Sequence, residues 1–126
     1  MKSKDIKLDV HTHTIVSGHA FNTMQEMILA AQAKELQVFG ITEHGHSIPG
    51  TCAPIYFRNI HVVPRQWHYI KADGTSAVMR LLMGAEINIL DCKGTLDLDD
   101  FIMNRLDLRI AGVHPQCFNG GTKDEE

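Results

Sequence analysis

No stretch of the chain is apolar over the roughly 20 residues needed to cross a bilayer, so no membrane span is expected. The opening residues, M-K-S-K-D-I-K, carry charge with no hydrophobic segment behind them, and so do not read as a signal peptide. Neither sign of charge dominates. A net charge of -3 and a pI near 6.2 give no electrostatic case for binding nucleic acid or an acidic membrane. The three cysteines, Cys52, Cys92 and Cys117, are scattered and lack CxxC spacing. That excludes a disulfide framework, argues against a structural zinc knuckle and suits a reducing cytoplasm. Internal repeats and low-complexity segments are also missing.

What is present is one domain's worth of chain, 126 residues with 44% apolar content, and an excess of histidine, eight in all. Ile6 to His11 alternates apolar and polar residues and predicts a first strand. Thr23-Met-Gln-Glu26 fits a capping box, and Met24, Met27, Ile28 and Ala31 share one helical face, predicting a helix from Met24 to Leu36. Val38 to Thr42 predicts a second strand. Strand, helix and strand with short connections make a βαβ unit with a parallel pair. Gly45, Pro49, Gly50 and Pro54 mark a loop from His46 to Tyr56. Phe57 to Val63 and Ala77 to Met83 read as strands, joined by a hairpin-like excursion whose turn is signalled by Asp73-Gly74. Leu81 to Asn88 carries a strand through Glu86, and Asp91 to Gly94 a turn. Asp97, Asp99 and Asp100 are placed to cap and charge a short helix, Phe101 to Arg105. Leu108 to Val113 predicts the last strand.

The histidines and two glutamates gather at the strand ends. The first strand ends in His11-Thr-His13, with Asp9 beneath, and His19 follows a Ser-Gly bend. The second ends in Glu43-His44, a later one reaches Glu86, and the last runs into His114-Pro115. Residues two apart in a strand face the same side, which aims His11 and His13 at one spot. In a parallel α/β sheet the C-terminal strand ends share one face, where active sites are built. Imidazoles with a carboxylate and no thiolate suggest a catalytic metal site. Glu86 sits between Ala85 and Ile87, where an unpaired carboxylate would be costly. His46, His61 and His68 have no comparable placement and read as ordinary residues.

D-V-H-T-H-T with S-G-H, then I-T-E-H-G, G-A-E-I-N and A-G-V-H-P resemble, in order, the successive motifs of the PHP (polymerase and histidinol phosphatase) domain family, and most of all its small bacterial phosphatases with a trinuclear zinc site. The resemblance covers Ile6 to Phe118. It implies an α/β fold, the N-terminal part of a distorted (β/α)7 barrel, TIM-like, with the C-terminal strands missing. It implies a phosphoesterase site with up to three ions, zinc by preference, with manganese or iron as alternatives. His11 and His13 would hold one ion, which Glu86 would bridge to a second bound by His114, while His19 and His44 would hold the third. Asp9 would orient a ligand. Glu86, His114 and Arg65 form the expected catalytic set. Arg65, in a Pro-Arg segment like the family's, is a candidate phosphate contact, with a solvated surface arginine as the other reading.

The expected domain is a single partial PHP domain over 1–126, with the motifs in 6–118 and a polar tail at 119–126. The family's later His-Pro-Gly-like and Asp-x-His motifs have no counterpart here, which points to a truncated phosphatase of small phosphomonoesters. The alternatives are a metal-binding fragment without catalysis and an amidohydrolase-like enzyme acting on C–N bonds. The expected partner is a small phosphorylated substrate, with neither nucleic acid nor membrane. Self-association or complementation through the open half-barrel edge is a further expectation, and the expected location is cytoplasmic.

Overall fold

Ten residues of α1 (Met24–Ala33) begin at the capping box that the sequence predicts. Thr23 Oγ1 accepts the Glu26 N–H, and the Glu26 carboxylate accepts the Thr23 N–H at 2.8 Å. The helix stops short of the predicted Leu36. Glu35 turns left-handed at φ 55, and the Leu36 N–H reaches back to the Ala31 carbonyl while the Glu35 N–H bonds Gln32. This is the paired-bond ending that a residue in left-handed conformation makes possible.

The computed structural model describes residues 7–120. Ile6, the predicted start of the first strand, and residues 121–126 of the polar tail lie outside them. The sheet consists of β1 (Leu8–Asp9), β2 (Val38–His44), β3 (Gln66–Ile70), β4 (Ser76–Asn88) and β5 (Leu108–Gly112), and two further helices follow α1, α2 (Ile55–Asn59) and α3 (Asp100–Met103). Among the described residues, no helix is long and apolar enough to cross a membrane.

The thirteen-residue β4 is the spine. One edge pairs in parallel with β2, from Val38↔Arg80 to His44↔Glu86, and β2 in turn pairs with β1. The other edge is shared. Antiparallel β3 takes the first half, from Gln66↔Arg80 to Ile70↔Ser76, and parallel β5 takes the second, from Gly84↔Leu108 to Asn88↔Gly112. The parallel strands form a half-barrel, as the resemblance implies, with β3 as the antiparallel exception. A methyl group at Gly84 would lie 2.5 Å from the Leu108 carbonyl oxygen, so the bare backbone is what lets β5 approach.

Two sequence expectations need correction. Phe57 to Val63 is not a strand but α2 continuing into a 3-10 turn, Ile60–Val62. Pro54 opens the helix with a preset φ, and buried Phe57 and Ile60, three apart, share its inner face. Burial at helical spacing outweighs the strand preference of the aromatic and β-branched residues. The hairpin therefore begins later, at β3, and the two predicted runs from Ala77 to Asn88 merge into one strand, β4.

Alternation along the paired strands gives the sheet two unlike faces. Phe39, Ile41, Leu81, Met83, Ala85 and Ile87 point one way, into the core completed by Ile28, Phe57, Ile60 and Ile102. Val38, Gly40, Thr42 and His44 point the other way, with Leu82, Gly84, Glu86 and Asn88 beside them. This second face is the inner wall of the half-barrel. Leu82, Leu108 and Ile110 on it are only half-buried.

Candidate metal centre

His44 closes β2, and Glu86, its register partner on β4, carries the same inner-face orientation. His114 follows β5, which brings it to the same end. His11 and His13 leave β1 toward that end too. After them a 3-10 turn, Ile15–Ser17, closes on Gly18, whose φ of 82 is the left-handed conformation. A side chain at Gly18 would also collide with the Gly50 carbonyl, 2.2 Å away. This turn brings His19 back over His13 and His44, with ring centroids 5.1 and 4.8 Å apart.

One carboxylate gathers four imidazoles. Glu86 Oε2 lies 3.1 Å from His11 Nε2, 3.0 Å from His13 Nε2 and 3.4 Å from His44 Nδ1. Glu86 Oε1 lies 3.0 Å from His114 Nε2. On the far side of His44, its Nε2 faces His19 Nε2 at 3.2 Å. Three sets of donor atoms result, each within 4.8 Å of one another: His11 with His13 and Glu86; His44 with Glu86 and His114; His13 with His19 and His44.

The electrostatics suit ligands. Burial holds the His44 pKa down, to about 4, and lowers that of His13. Both rings are therefore neutral near pH 7 and keep a lone pair. Burial pushes the Glu86 carboxyl up, but the His11 hydrogen bond and the neighbouring His44, His11 and His114 outweigh it, and its pKa is lowered. It is thus an anion at neutral pH.

A chelated divalent cation fits these residues. His44 Nδ1 is buried with no hydrogen-bond partner, 3.4 Å from a carboxylate oxygen, and leaving a buried polar atom unmatched carries a cost. The donors are imidazole nitrogen and carboxylate oxygen, a set suited to zinc, iron or manganese. A neutral imidazole offers one lone pair, so His44 serves either the Glu86 side or the His19 side, not both.

Behind the ligands stand Glu43, already placed at a strand end by the sequence, and three residues the sequence does not assign to the site, Ser17, Asn88 and Asp97. Fully buried Glu43 accepts the Thr14 N–H at 3.0 Å and the hydroxyls of Thr14 and Ser17. Ser17 Oγ lies 3.2 Å from His13 Nδ1 and accepts the His44 N–H. Across the cluster, Asn88 Oδ1 lies 2.6 Å from His114 Nδ1, and the Asn88 amide is bound to Asp97. A period-two signal could have found Asn88, since it shares a face with Glu86. Asp97 had no such signal. The sequence cast it as a helix cap with Asp99, but only Asp99 caps α3, on the Ile102 N–H.

Arg65 is not brought to the cluster. Its guanidinium binds Asp107 at 2.6 Å and the carbonyls of Ile60 and Val63. Asp107 immediately precedes β5, at the opposite end of that strand from His114. Arg65 thus ties the approach to β3 onto the start of β5, away from the cluster where a phosphate contact is expected. Asp9 meets the His11 backbone N–H, at 3.4 Å, rather than a ring nitrogen. His61 faces the Arg58 carbonyl.

A cavity of about 260 Å³ opens beside the cluster, lined by His19, His44 and His114 with Ser17, Pro49 and Gln116. A larger one, about 610 Å³, is apolar and lies against Met83 on the core face, with Val16, Tyr56 and Ile60. The smaller is the one with chemistry in its wall.

The family model described as "PHP domain" matches residues 9–113. A protein named "Probable phosphatase" from Caldicellulosiruptor saccharolyticus is 43% identical over 117 residues, which cover 93% of this chain and 45% of that protein. One of the same name from Clostridium botulinum (strain Langeland) is 44% identical over 118 residues, 94% of this chain and 45% of that protein. Another, from Caldanaerobacter subterraneus, is 43% identical over 111 residues, 88% of this chain and 40% of that protein. The chain spans less than half the length of these curated relatives.

Proposed function

The chain belongs to the PHP-domain family, and from that premise we propose that it is the ligand-bearing part of a metal-dependent phosphatase acting on small phosphomonoesters. The observation that carries this reading is the Glu86 carboxylate, faced by four imidazole nitrogens at 3.0 to 3.4 Å at one end of a parallel half-barrel. Relatives named "Probable phosphatase" support the reaction class.

In this reading His11, His13 and Glu86 hold one ion, and Glu86 with His114 holds a second. His19 and His44 hold the third. Zinc is the first choice by donor type, with manganese or iron as substitutes. When bound, such ions neutralise phosphate oxygens and make water a better nucleophile at neutral pH. The residues of the chain do the placing. Glu86 would serve two ions, since one of its oxygens faces His11 and His13 and the other faces His114. His19, His44 and His114 line the cavity of about 260 Å³, which suits a phosphate group on a small alcohol. The inner-wall residues Leu82, Leu108 and Ile110 and the free edge of β5 are where further strands, or a second copy, would complete the barrel. A reducing, cytoplasmic setting agrees with thiols at Cys52 and Cys117.

The test is hydrolysis of small phosphomonoesters by this chain, supplied with zinc or manganese, against a His11→Ala/His13→Ala control. Turnover above the control supports the proposal. Tight retention of metal after dialysis without turnover favours the other reading, a metal-binding piece that needs the remaining length of its relatives for catalysis.

A further inference from the structure

Two chains of hydrogen bonds run into the cluster from opposite sides, and each has the same order: buried carboxylate, neutral polar side chain, imidazole. The first is Glu43, Ser17, His13, and the second is Asp97, Asn88, His114. Donor and acceptor chemistry places a proton on Nδ1 of each ring, and the Nε2 of each faces Glu86.

Asn88 Nδ2 is bound to Asp97 Oδ2 at 2.6 Å and to the Gly45 carbonyl at 3.2 Å. Both are acceptors, so this end of the amide is the NH2 and the other is the oxygen. Asp97 is held in turn by the backbone N–H groups of Asn88 and Ser47, at 2.9 and 3.1 Å. The Asn88 oxygen 2.6 Å from His114 Nδ1 can only accept, so Nδ1 carries the proton. Nε2, 3.0 Å from Glu86 Oε1, is then the ring nitrogen left for a metal.

The Ser17 hydroxyl has one proton, and it goes to the Glu43 carboxylate. Its oxygen accepts from the His44 N–H at 3.1 Å and has capacity for one more donor. His13 Nδ1, 3.2 Å away, fills that place as an N–H. His13 Nε2 is then the nitrogen left for a metal, 3.0 Å from Glu86 Oε2.

We propose that Ser17 and Asn88 are positioning residues that hold the Nδ1 protons of His13 and His114, locked by Glu43 and Asp97, so that Nε2 of both rings is aimed at the Glu86 side before a metal arrives. The proposal rests on the reading of this cluster as a metal centre, but not on phosphatase turnover. Nε2 of each ring, 3.0 Å from a Glu86 oxygen, is the nitrogen left for a cation to share with that oxygen. Partners of this kind typically change metal affinity about 10–100-fold when removed.

Nitrogen-15 NMR of the metal-free chain at pH 8 reads the protonation of each ring nitrogen directly. His13 and His114 are expected with protonated Nδ1. A bare Nδ1 in either ring overturns the proposal for that ring. Ser17→Ala should release the tautomer of His13 and leave His114 as it was, while Asn88→Leu should do the reverse. Each should weaken zinc binding, measured by competition with a chelating dye, about 10–100-fold. Tautomers or affinities unchanged by these substitutions count against the positioning role. Should either variant not fold, the wild-type spectrum still decides. A phosphatase assay that fails while the tautomers hold would remove the proposed reaction and leave the positioning role standing.

Discussion

Glu86 and Asn88, two residues apart on β4, engage opposite nitrogens of one imidazole: Oε1 lies 3.0 Å from His114 Nε2, and Oδ1 lies 2.6 Å from His114 Nδ1. Strand alternation puts both side chains on the inner face, and the ring of His114 is clamped between them. The ligand and the residue that orients it are thus carried by one strand, so neither can move without the other.

Among the described residues Glu86 alone carries a carboxylate facing four imidazoles, so its loss should remove more than one ion. Glu86→Gln keeps the shape and removes the charge. Metal content by mass spectrometry after dialysis against a mild chelator should fall below that of the single variants His11→Ala and His19→Ala. Equal retention by all three would mean that Glu86 does not join the ion positions.

The metal-free protein should lose stability in mild acid. The fold depresses the pKa of His44 to about 4 and lowers that of His13, while an unfolded histidine titrates near 6.5. Between those values the unfolded chain binds more protons than the folded one. This contribution is therefore complete above about pH 6.5 and falls away as the pH drops toward 4. The lowered pKa of Glu86 acts in the same direction at lower pH. Urea midpoints from pH 8 to pH 4 should show the decline, and His44→Gln should flatten its upper part. A midpoint that rises on acidification would contradict the burial of neutral rings.

Arg65→Ala should cost stability and leave metal binding alone. The guanidinium joins Asp107 to the carbonyls of Ile60 and Val63, and Asp107 also accepts the Met83 N–H. Its partial exposure limits the loss to about 1–2 kcal/mol. Denaturant unfolding measures it. A variant of undiminished stability that no longer retains zinc would return Arg65 to the site.

Glu35 is the non-glycine residue with positive φ among those described, at 55°. A left-handed conformation costs a residue with a Cβ about 1 kcal/mol or more relative to glycine. Glu35→Gly at the end of α1 should therefore raise stability by up to about 1 kcal/mol, read from the shift in urea midpoint at constant m-value. A lower midpoint would mean that the Glu35 side chain contributes more than its backbone costs.

Much of the site was legible because its ligands are announced locally. His11 and His13 share a two-residue spacing, His44 and His114 each follow an apolar run, and Glu86 interrupts one. Ordered motifs then gave the family. The α1 capping box was equally local, since its four residues bond to one another. Phe57 to Val63 was misread for the opposite reason. Its composition favours a strand, and only the burial of Phe57 and Ile60 against the sheet decides for a helix.

Taken by itself, the sequence determined the α/β class, the parallel strands, the starting point of α1 and the set of residues that gather at the strand ends. These follow from periodicity and from neighbours in the chain. Tertiary structure alone decided that β4 shares one edge between β3 and β5, that Arg65 serves Asp107 instead of the cluster, and that Asp97 holds Asn88 instead of capping α3. Each of those outcomes is a competition among hydrogen-bond partners far apart in the chain, settled by which of them folding brings within about 3 Å.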